Sequence, residues 1–520
     1  MPAILRAIAL RLLVLISSLI DAAKILGVFP TPSISHQVVF RTLTQELVKR
    51  GHEVVVITPD PAFPNGGAPA NLTEINVHEI SYKIWRETFI KQSQGKKSDS
   101  ITQMEGAFEL FAIILDHQLQ HKDVQKIINK RNTETFDLLL LESCVRPALI
   151  FSHLFKAPVI SISSLGGPPG NYDMMGASEH PVLYPSIIGF RTYNLTMLEK
   201  IKEIYNSYRF TRFLKTNAQF ENEMLKNRFG PDTPDVEELV DNVDLLFLNS
   251  HPVFERIRPV PPSVVYMGGI HQKPFKALPA DLKKYMDSSK HGVVYVSFGT
   301  NVDPRLLPAD RVRTLVNVFS KLPYDVLFKW GDKELPGSSK NIRTEKWLPQ
   351  SDLLRHENVK VFITQGGLQS TDEAITAGVP LIGIPMLADQ WHNVENYVRH
   401  GIGLQLDMET LTEEQLINAI NKIIGDPSYR RNVIRMRTLI MDQPMSPLDR
   451  AMWWIEYLLR HGGAKHLRSP AANMSWWNYY EMDLVLTILM IFLFTLTVSI
   501  AGLFLMNNYA KNSNIKVKTS

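Results

Sequence analysis

Short apolar runs alternate with stretches of helical periodicity along most of the chain. Lys24-Ile-Leu-Gly-Val-Phe29 has the length and composition of a buried strand, His36 to Arg50 the spacing of an amphipathic helix, and Glu53-Val-Val-Val-Ile57 the look of a second strand. Asp137–Leu141, Pro158–Ser161 and Asp244–Leu248 continue the strand series, with residues 165–240 more helical and irregular. Alternation of this kind predicts an open parallel sheet covered by helices. Pro259, Pro261, Pro262, Pro274 and Pro279 then mark Pro252 to Ala280 as an extended connection. Beyond it a second series begins, Val293–Ser297, Asp325–Lys329, Val359–Thr364 and Leu381–Ile384, again with helical stretches between. Two doubly wound α/β halves are expected to face each other. In such sheets ligands sit outside the carboxyl ends of the strands, so loops of both halves should line one cleft. A helical stretch over 446–465, with Trp453, Trp454, Tyr457 and Leu458 on one face, is expected to pack across the junction.

The two ends break this pattern. Arg6 and Arg11 precede an apolar stretch, Leu12 to Ile20, and the small residues Ala22 and Ala23 follow, which is the order of a secretory signal peptide. Leu484 to Met506 is uncharged and, at ~1.5 Å per residue, long enough to cross a ~30 Å hydrocarbon layer. Trp476, Trp477, Tyr479 and Tyr480 before it suit an interfacial belt, and Lys511, Lys516 and Lys518 after it suit the cytosolic side. A type I, single-pass arrangement follows, with the folded part luminal. Lys516 and Lys518 resemble the dilysine retrieval signal of endoplasmic reticulum membrane proteins, which implies residence there. Asn71, Asn194 and Asn473 head glycosylation triplets on the luminal side. The expected organisation is a signal peptide at 1–23, an N-terminal domain at 24–251, a linker at 252–290 and a second domain at 291–445. A C-terminal helix and juxtamembrane segment follow at 446–483, then a membrane helix at 484–506 and a tail at 507–520.

Composition narrows the class. A chain of 520 residues exceeds one core, and 56 Lys+Arg against 52 Asp+Glu leaves +4, too balanced for a nucleic-acid footprint. Hydrophobic residues at 45% and charged residues at 21% exclude both a largely disordered chain and one made mostly of membrane helices. The single cysteine, Cys144, excludes an intrachain disulfide and a Cys-cluster metal site, and is expected as a small buried apolar side chain.

The chemistry concentrates between Phe362 and Gln390, FITQGGLQSTDEAITAGVPLIGIPMLADQ. A strand leads into Gly366-Gly367 and then a helix. Glycines at a helix start let backbone N–H groups approach a phosphate, where the helix dipole also favours negative charge. Gln369 and Glu373 are four apart and share a helix face, so a carboxylate one turn from the phosphate can accept ribose hydroxyls. Asp389 and Gln390 offer an acceptor and an amide to further hydroxyls. Taken alone, Gly366-Gly367 is a capping turn more often than a phosphate site, and Glu373 a solvated helix carboxylate. The full ordered set favours a nucleotide.

This stretch closely resembles the signature of the UDP-glycosyltransferase family, in its insect-like form, and the resemblance extends from Lys24 through the membrane helix. It implies the GT-B fold of two Rossmann-like domains, an N-terminal half for the acceptor and a C-terminal half for the UDP-sugar. On matching positions it implies that Trp347 and Gln350 contact uracil and Glu373 the ribose. Ser370 and the Gly366-Gly367 backbone cradle the diphosphate, Thr300 faces the phosphates with Lys329 as a cationic neighbour, and Asp389 and Gln390 hold the sugar. His36, in the loop after the first strand, corresponds to the family's base, and Glu142 stands where the family's orienting Asp is usual. Gln365 replaces a more common histidine, a neutral amide in place of a possible cation near the leaving diphosphate.

The activity this implies is inverting transfer of a hexose, glucose by the insect-like pattern, from a UDP-sugar to a hydroxyl of a small lipophilic acceptor, as in detoxification or hormone conjugation. The UDP-sugar is a co-substrate; no cofactor or metal is expected. Membrane contact is single-pass, and a homo-oligomer is left open. Because Gln365 and Glu142 both depart from the common pattern, a non-catalytic UDP-sugar-binding membrane protein that regulates a partner is the rival reading. A soluble nucleotide-sugar epimerase is disfavoured by the signal peptide and anchor.

Overall fold

A computed structural model describes residues 22–90, 100–189, 191–331 and 335–518. The expected signal peptide lies outside the described residues except for Ala22 and Ala23.

The first sheet is built from β1 (Lys24–Val28), β2 (Glu53–Thr58), β3 (Leu72–Asn76), β4 (Leu138–Glu142), β5 (Val159–Ser163), β6 (Val243–Leu248) and β7 (Val264–Tyr266), in the order β3-β2-β1-β4-β5-β6-β7. The second comprises β8 (Val293–Ser297), β9 (Asp325–Lys329), β10 (Ile342–Glu345), β11 (Val359–Thr364), β12 (Leu381–Gly383) and β13 (Gly403–Gln405), in the order β10-β9-β8-β11-β12-β13. Every pairing is parallel. Central strands such as Leu138-Leu-Leu-Leu-Glu142 are buried along their whole length, as sheets covered on both faces require. The strands the pattern does not predict are marginal ones. β3, β10 and β13, with the sequences LTEIN, IRTE and GLQ, are edge strands buried at few positions, so their apolar signal is weak.

Seven helices matter below: α1 (Ile34–Lys49), α2 (Ser100–Leu119), α3 (Met197–Phe229), α4 (Leu368–Ala377), α5 (Gln390–His400), α6 (Pro447–His461) and α7 (Met482–Lys518). Helix α1 begins two residues before His36, which therefore sits in the first turn and not in the preceding loop. Ser33 is extended, and Gln37 donates to the carbonyls of Phe29 and Thr31, which draws this turn onto the end of β1.

The proline-rich connection also departs from expectation. Val264–Tyr266 leaves the extended path to pair with β6, and in helix Ala280–Ser288 the side chains of Leu282 and Met286 are buried in the second core. On α6 the packed face is Ala451, Met452, Ile455 and Leu458, set into the core that α1 forms over the first sheet, while Trp453 is 45% exposed. The chain thus returns from the second lobe to the first. Arg50, just past the end of α1, meets Glu456 of α6 at 2.5 Å at the edge of this contact. Helix α7 is apolar, exposed over nearly all its described length and long enough to cross a membrane.

Candidate active site

In the order β3-β2-β1-β4, connections leave β1 and β4 in opposite directions, and the crevice between their carboxyl ends is where a doubly wound sheet binds ligand. β8 and β11 repeat the arrangement in the second sheet. The two crevices open onto one cavity of about 800 Å³.

At the first crevice, Glu142 closes β4 with 2% of its surface exposed, and its Oε1 lies 2.8 Å from His36 Nδ1. The backbone N–H of Thr31 donates to Glu142 Oε2 at 3.0 Å, so the carboxylate cannot swing away. An ionised carboxylate accepts, so Nδ1 carries the imidazole proton and Nε2 keeps its lone pair. His36 lines the cavity and Glu142 stands behind it. A base held in one tautomer, with a buried charge to stabilise its protonated form, is the arrangement that removes a proton from an alcohol.

The second crevice is built from glycines and amides. Gly299 and Gly366 have φ of +73° and +89°, which side-chain-bearing residues rarely adopt, and a Cβ at Gly366 would lie 2.5 Å from Val394 Cγ2. Helix α4 starts at Leu368 without a side-chain cap, and Gly367, Leu368, Gln369 and Ser370 line the cavity, so the positive end of the helix faces it. Thr300 lines the same wall. Gln365 is buried, with its amide against Gly299.

Gln350, Ser370 and Glu373 form one network. Tyr295 Oη donates to Gln350 Oε1 at 2.9 Å, and Gln350 Nε2 donates to Glu373 Oε2 at 2.7 Å and to Ser370 Oγ at 2.9 Å. Burial raises the Glu373 carboxyl above its ordinary range. Lys329 Nζ donates to Gly299 O at 2.8 Å and stands 4.5 Å from the ring centre of Trp347. Burial lowers the Lys329 ammonium. Trp347 is 66% exposed and presents a flat face at the cavity edge on which a base can stack.

Asp389, buried at the start of α5, is raised to about 6 by burial, against the pull of a 2.8 Å hydrogen bond from Asn393 and the charge of His36. Asp389 and His36 line the same cavity. Gln390 Oε1 accepts from the backbone N–H groups of Met386 and Leu387, which leaves its amide N–H donors for the cavity. Of the expected site residues, Glu142 and Gly366 do not reach the cavity wall: Gly366 turns its carbonyl to Asn393 at 2.9 Å. Gln369 donates to Ser164 O across the lobes at 2.9 Å and so is partly engaged.

A family model described as UDP-glucoronosyl and UDP-glucosyl transferase matches residues 23–519. The chain belongs to this family. Among relatives of this UDP-glycosyltransferase is an ecdysteroid UDP-glucosyltransferase of Spodoptera littoralis nuclear polyhedrosis virus, 38% identical over 90% of this chain and 94% of the relative. UDP-glucosyltransferase 2 of Dactylopius coccus is 30% identical over 94% of each. The crystal structure of the glycotransferase of kitacinnamycin superposes with a TM-score of 0.57 at 20% identity, over 84% of this chain and all of that one, which supports the GT-B fold.

The UDP-glycosyltransferase also brings to its cavity Asn301 and Thr31, which sequence reasoning does not single out, and Cys144, which is half-buried against the cavity where a small buried apolar side chain was expected. Asn301 donates to Ser33 Oγ at 3.0 Å, joining the loop after β8 to the residue before α1. Thr31 and Cys144 flank the His36–Glu142 pair. Their one signal in the sequence is position, just past the ends of β1, β4 and β8.

Proposed function

We propose that the enzyme transfers glucose from UDP-glucose to a hydroxyl of a small lipophilic acceptor with inversion at the anomeric carbon. The observation that carries this reading is the His36–Glu142 pair at 2.8 Å facing, across one cavity, a glycine-lined helix start. His36 Nε2 removes the acceptor proton as the oxygen attacks the anomeric carbon from the side opposite the diphosphate. Glu142 stabilises the imidazolium. N–H groups at the start of α4, with Thr300, Ser370 and the Gln365 amide, receive the departing charge. Trp347 stacks on the uracil, Glu373 with Gln350 binds the ribose, and Asp389 with Gln390 binds the sugar hydroxyls.

The acceptor side of the cavity is apolar, with Trp85, Met104, Phe108, Phe111, Leu165 and Ile187 along it. A wall of this kind suits a steroid or phenolic skeleton, and the viral relative's name, an ecdysteroid UDP-glucosyltransferase, points the same way. We also read the chain as anchored in the endoplasmic reticulum membrane by α7, with both lobes luminal, which gives access to acceptors dissolved in lipid. Membranes carrying the full chain, offered UDP-glucose with steroid and phenol acceptors, should yield β-glucosides by NMR of the anomeric proton. Retention of configuration, or equal rates after His36→Ala, would refute the mechanism.

A further inference from the structure

Beside the catalytic pair stands the single cysteine of the chain. Cys144 follows β4 by two residues, is half-buried and lines the cavity. Its Sγ lies 3.5 Å from Glu142 Oε1 and 3.6 Å from Thr31 Oγ1. The donor atoms of His36, Glu142 and Cys144 all fall within 4.8 Å of one another. Nitrogen, oxygen and sulfur donors bound to zinc at ~2.0–2.3 Å in a tetrahedron stand roughly 3.3–3.6 Å apart, so small side-chain shifts would bring the three onto one ion. The Thr31 N–H already holds the far carboxylate oxygen, as an outer partner of a metal ligand should. His36 and Cys144 line the cavity, so a fourth ligand could come from that side.

We propose that His36 Nδ1, Glu142 Oε1 and Cys144 Sγ form a binding site for a soft divalent cation of the zinc class, and that its occupation arrests glycosyl transfer. Thiolate, imidazole and carboxylate together select zinc, cobalt or cadmium over magnesium or calcium, which prefer oxygen. Binding displaces the thiol proton to solvent and moves the imidazole proton from Nδ1 to Nε2. The lone pair that would take the acceptor proton is then gone, and the carboxylate is spent on the metal. The arrest, though not the binding, rests on the reading of His36 as the base.

The test uses the full chain in detergent, titrated with cobalt(II) for spectroscopy and zinc(II) for rates. Because there is no second thiol, a thiolate-to-cobalt charge-transfer band in the near ultraviolet reports Cys144 alone. The expected result is such a band in the wild type and its absence in Cys144→Ser. Zinc should lower kcat, with the inhibition constant raised about tenfold or more in Cys144→Ser when each variant is scaled to its own metal-free rate. Glu142→Gln should weaken cobalt binding while retaining the thiolate band at higher metal concentration. Absence of the band in the wild type, or identical zinc responses in the wild type and Cys144→Ser, would overturn the site. A band without loss of turnover would uphold the site and refute His36 as the base.

Discussion

The crevices at β1/β4 and at β8/β11 have the same topology and opposite chemistry. The first holds ionisable side chains: an imidazole on a helix's first turn, locked by a carboxylate at the end of the neighbouring strand. The second sets Lys329, Glu373 and Asp389 around a floor of backbone and amides, with Gly299, Gly366 and Gly367 about a helix start that no side chain caps. A parallel sheet supplies a place where loops separate, and the residues after the strands decide what it does. On the proposed function, one lobe moves a proton and the other receives an anion.

The largest expected effect tests the first crevice alone. His36→Ala should lower kcat by about 10²–10⁴, the usual contribution of general-base catalysis, while UDP affinity by calorimetry stays within error. A parallel loss of UDP binding would mean that the crevices are not separable. Next in size, Gly366→Ala should damage the second crevice by forcing a side chain into positive φ and against Val394. Tm should fall, and donor KM should rise more than acceptor KM in initial-rate measurements.

A pH profile sets the two crevices against each other. Asp389 is raised to about 6, so it is ionised above that pH and protonated below it. As an acceptor for sugar hydroxyls it should give a donor KM that climbs as pH falls through about 6, and Asp389→Asn should flatten that limb. The same shift has a stability sign: between the ordinary carboxyl range and about 6 the folded state holds more protons than the unfolded one. Stability therefore falls as pH rises through that window, and less so in Asp389→Asn. The smallest effect concerns the link between the crevices. Asn301→Ala removes its amide's hydrogen bonding with Ser33, Nδ2 donating to Oγ at 3.0 Å and Oγ to Oδ1 at 3.3 Å, at about 0.5–1.5 kcal/mol for a neutral hydrogen bond, and should lower kcat roughly two- to tenfold with UDP affinity retained.

Much of the second crevice was legible in the sequence because it is local: strand, paired glycines, helix and Asp389-Gln390 occur in one continuous stretch, and period and spacing report their relations. The acceptor wall was legible only in part: the aromatic-rich segment around Phe108 and Phe111 stands out in the sequence and both residues line the cavity, but what packs behind them does not. Phe108 on α2 meets Phe210 on α3 edge to face at 5.5 Å, a contact between long helices that no short window contains. Of the face expected to pack from α6, Leu458 is buried and Trp454 and Tyr457 pack partly buried against the same core, while Trp453 is 45% exposed, since several faces of a helix rich in Met, Ile, Leu and Trp are apolar enough to bury. The partner surface chose Ala451, Met452, Ile455 and Leu458.

By itself the sequence determined two doubly wound halves, a membrane-length C-terminal helix and a nucleotide-type motif, because periodicity, run length and glycine placement are properties of neighbouring residues. The family resemblance paired His36 with Glu142, but only the tertiary structure brings the two together from 106 positions apart, with Cys144 and Thr31 on their flanks. That meeting depends on β4 pairing with β1 in register, Leu141 opposite Val28, and on α1 starting at Ile34 so that its first turn lies over the strand ends. Pairing partner and register are set by burial across the whole sheet, a long-range free energy that no local pattern encodes.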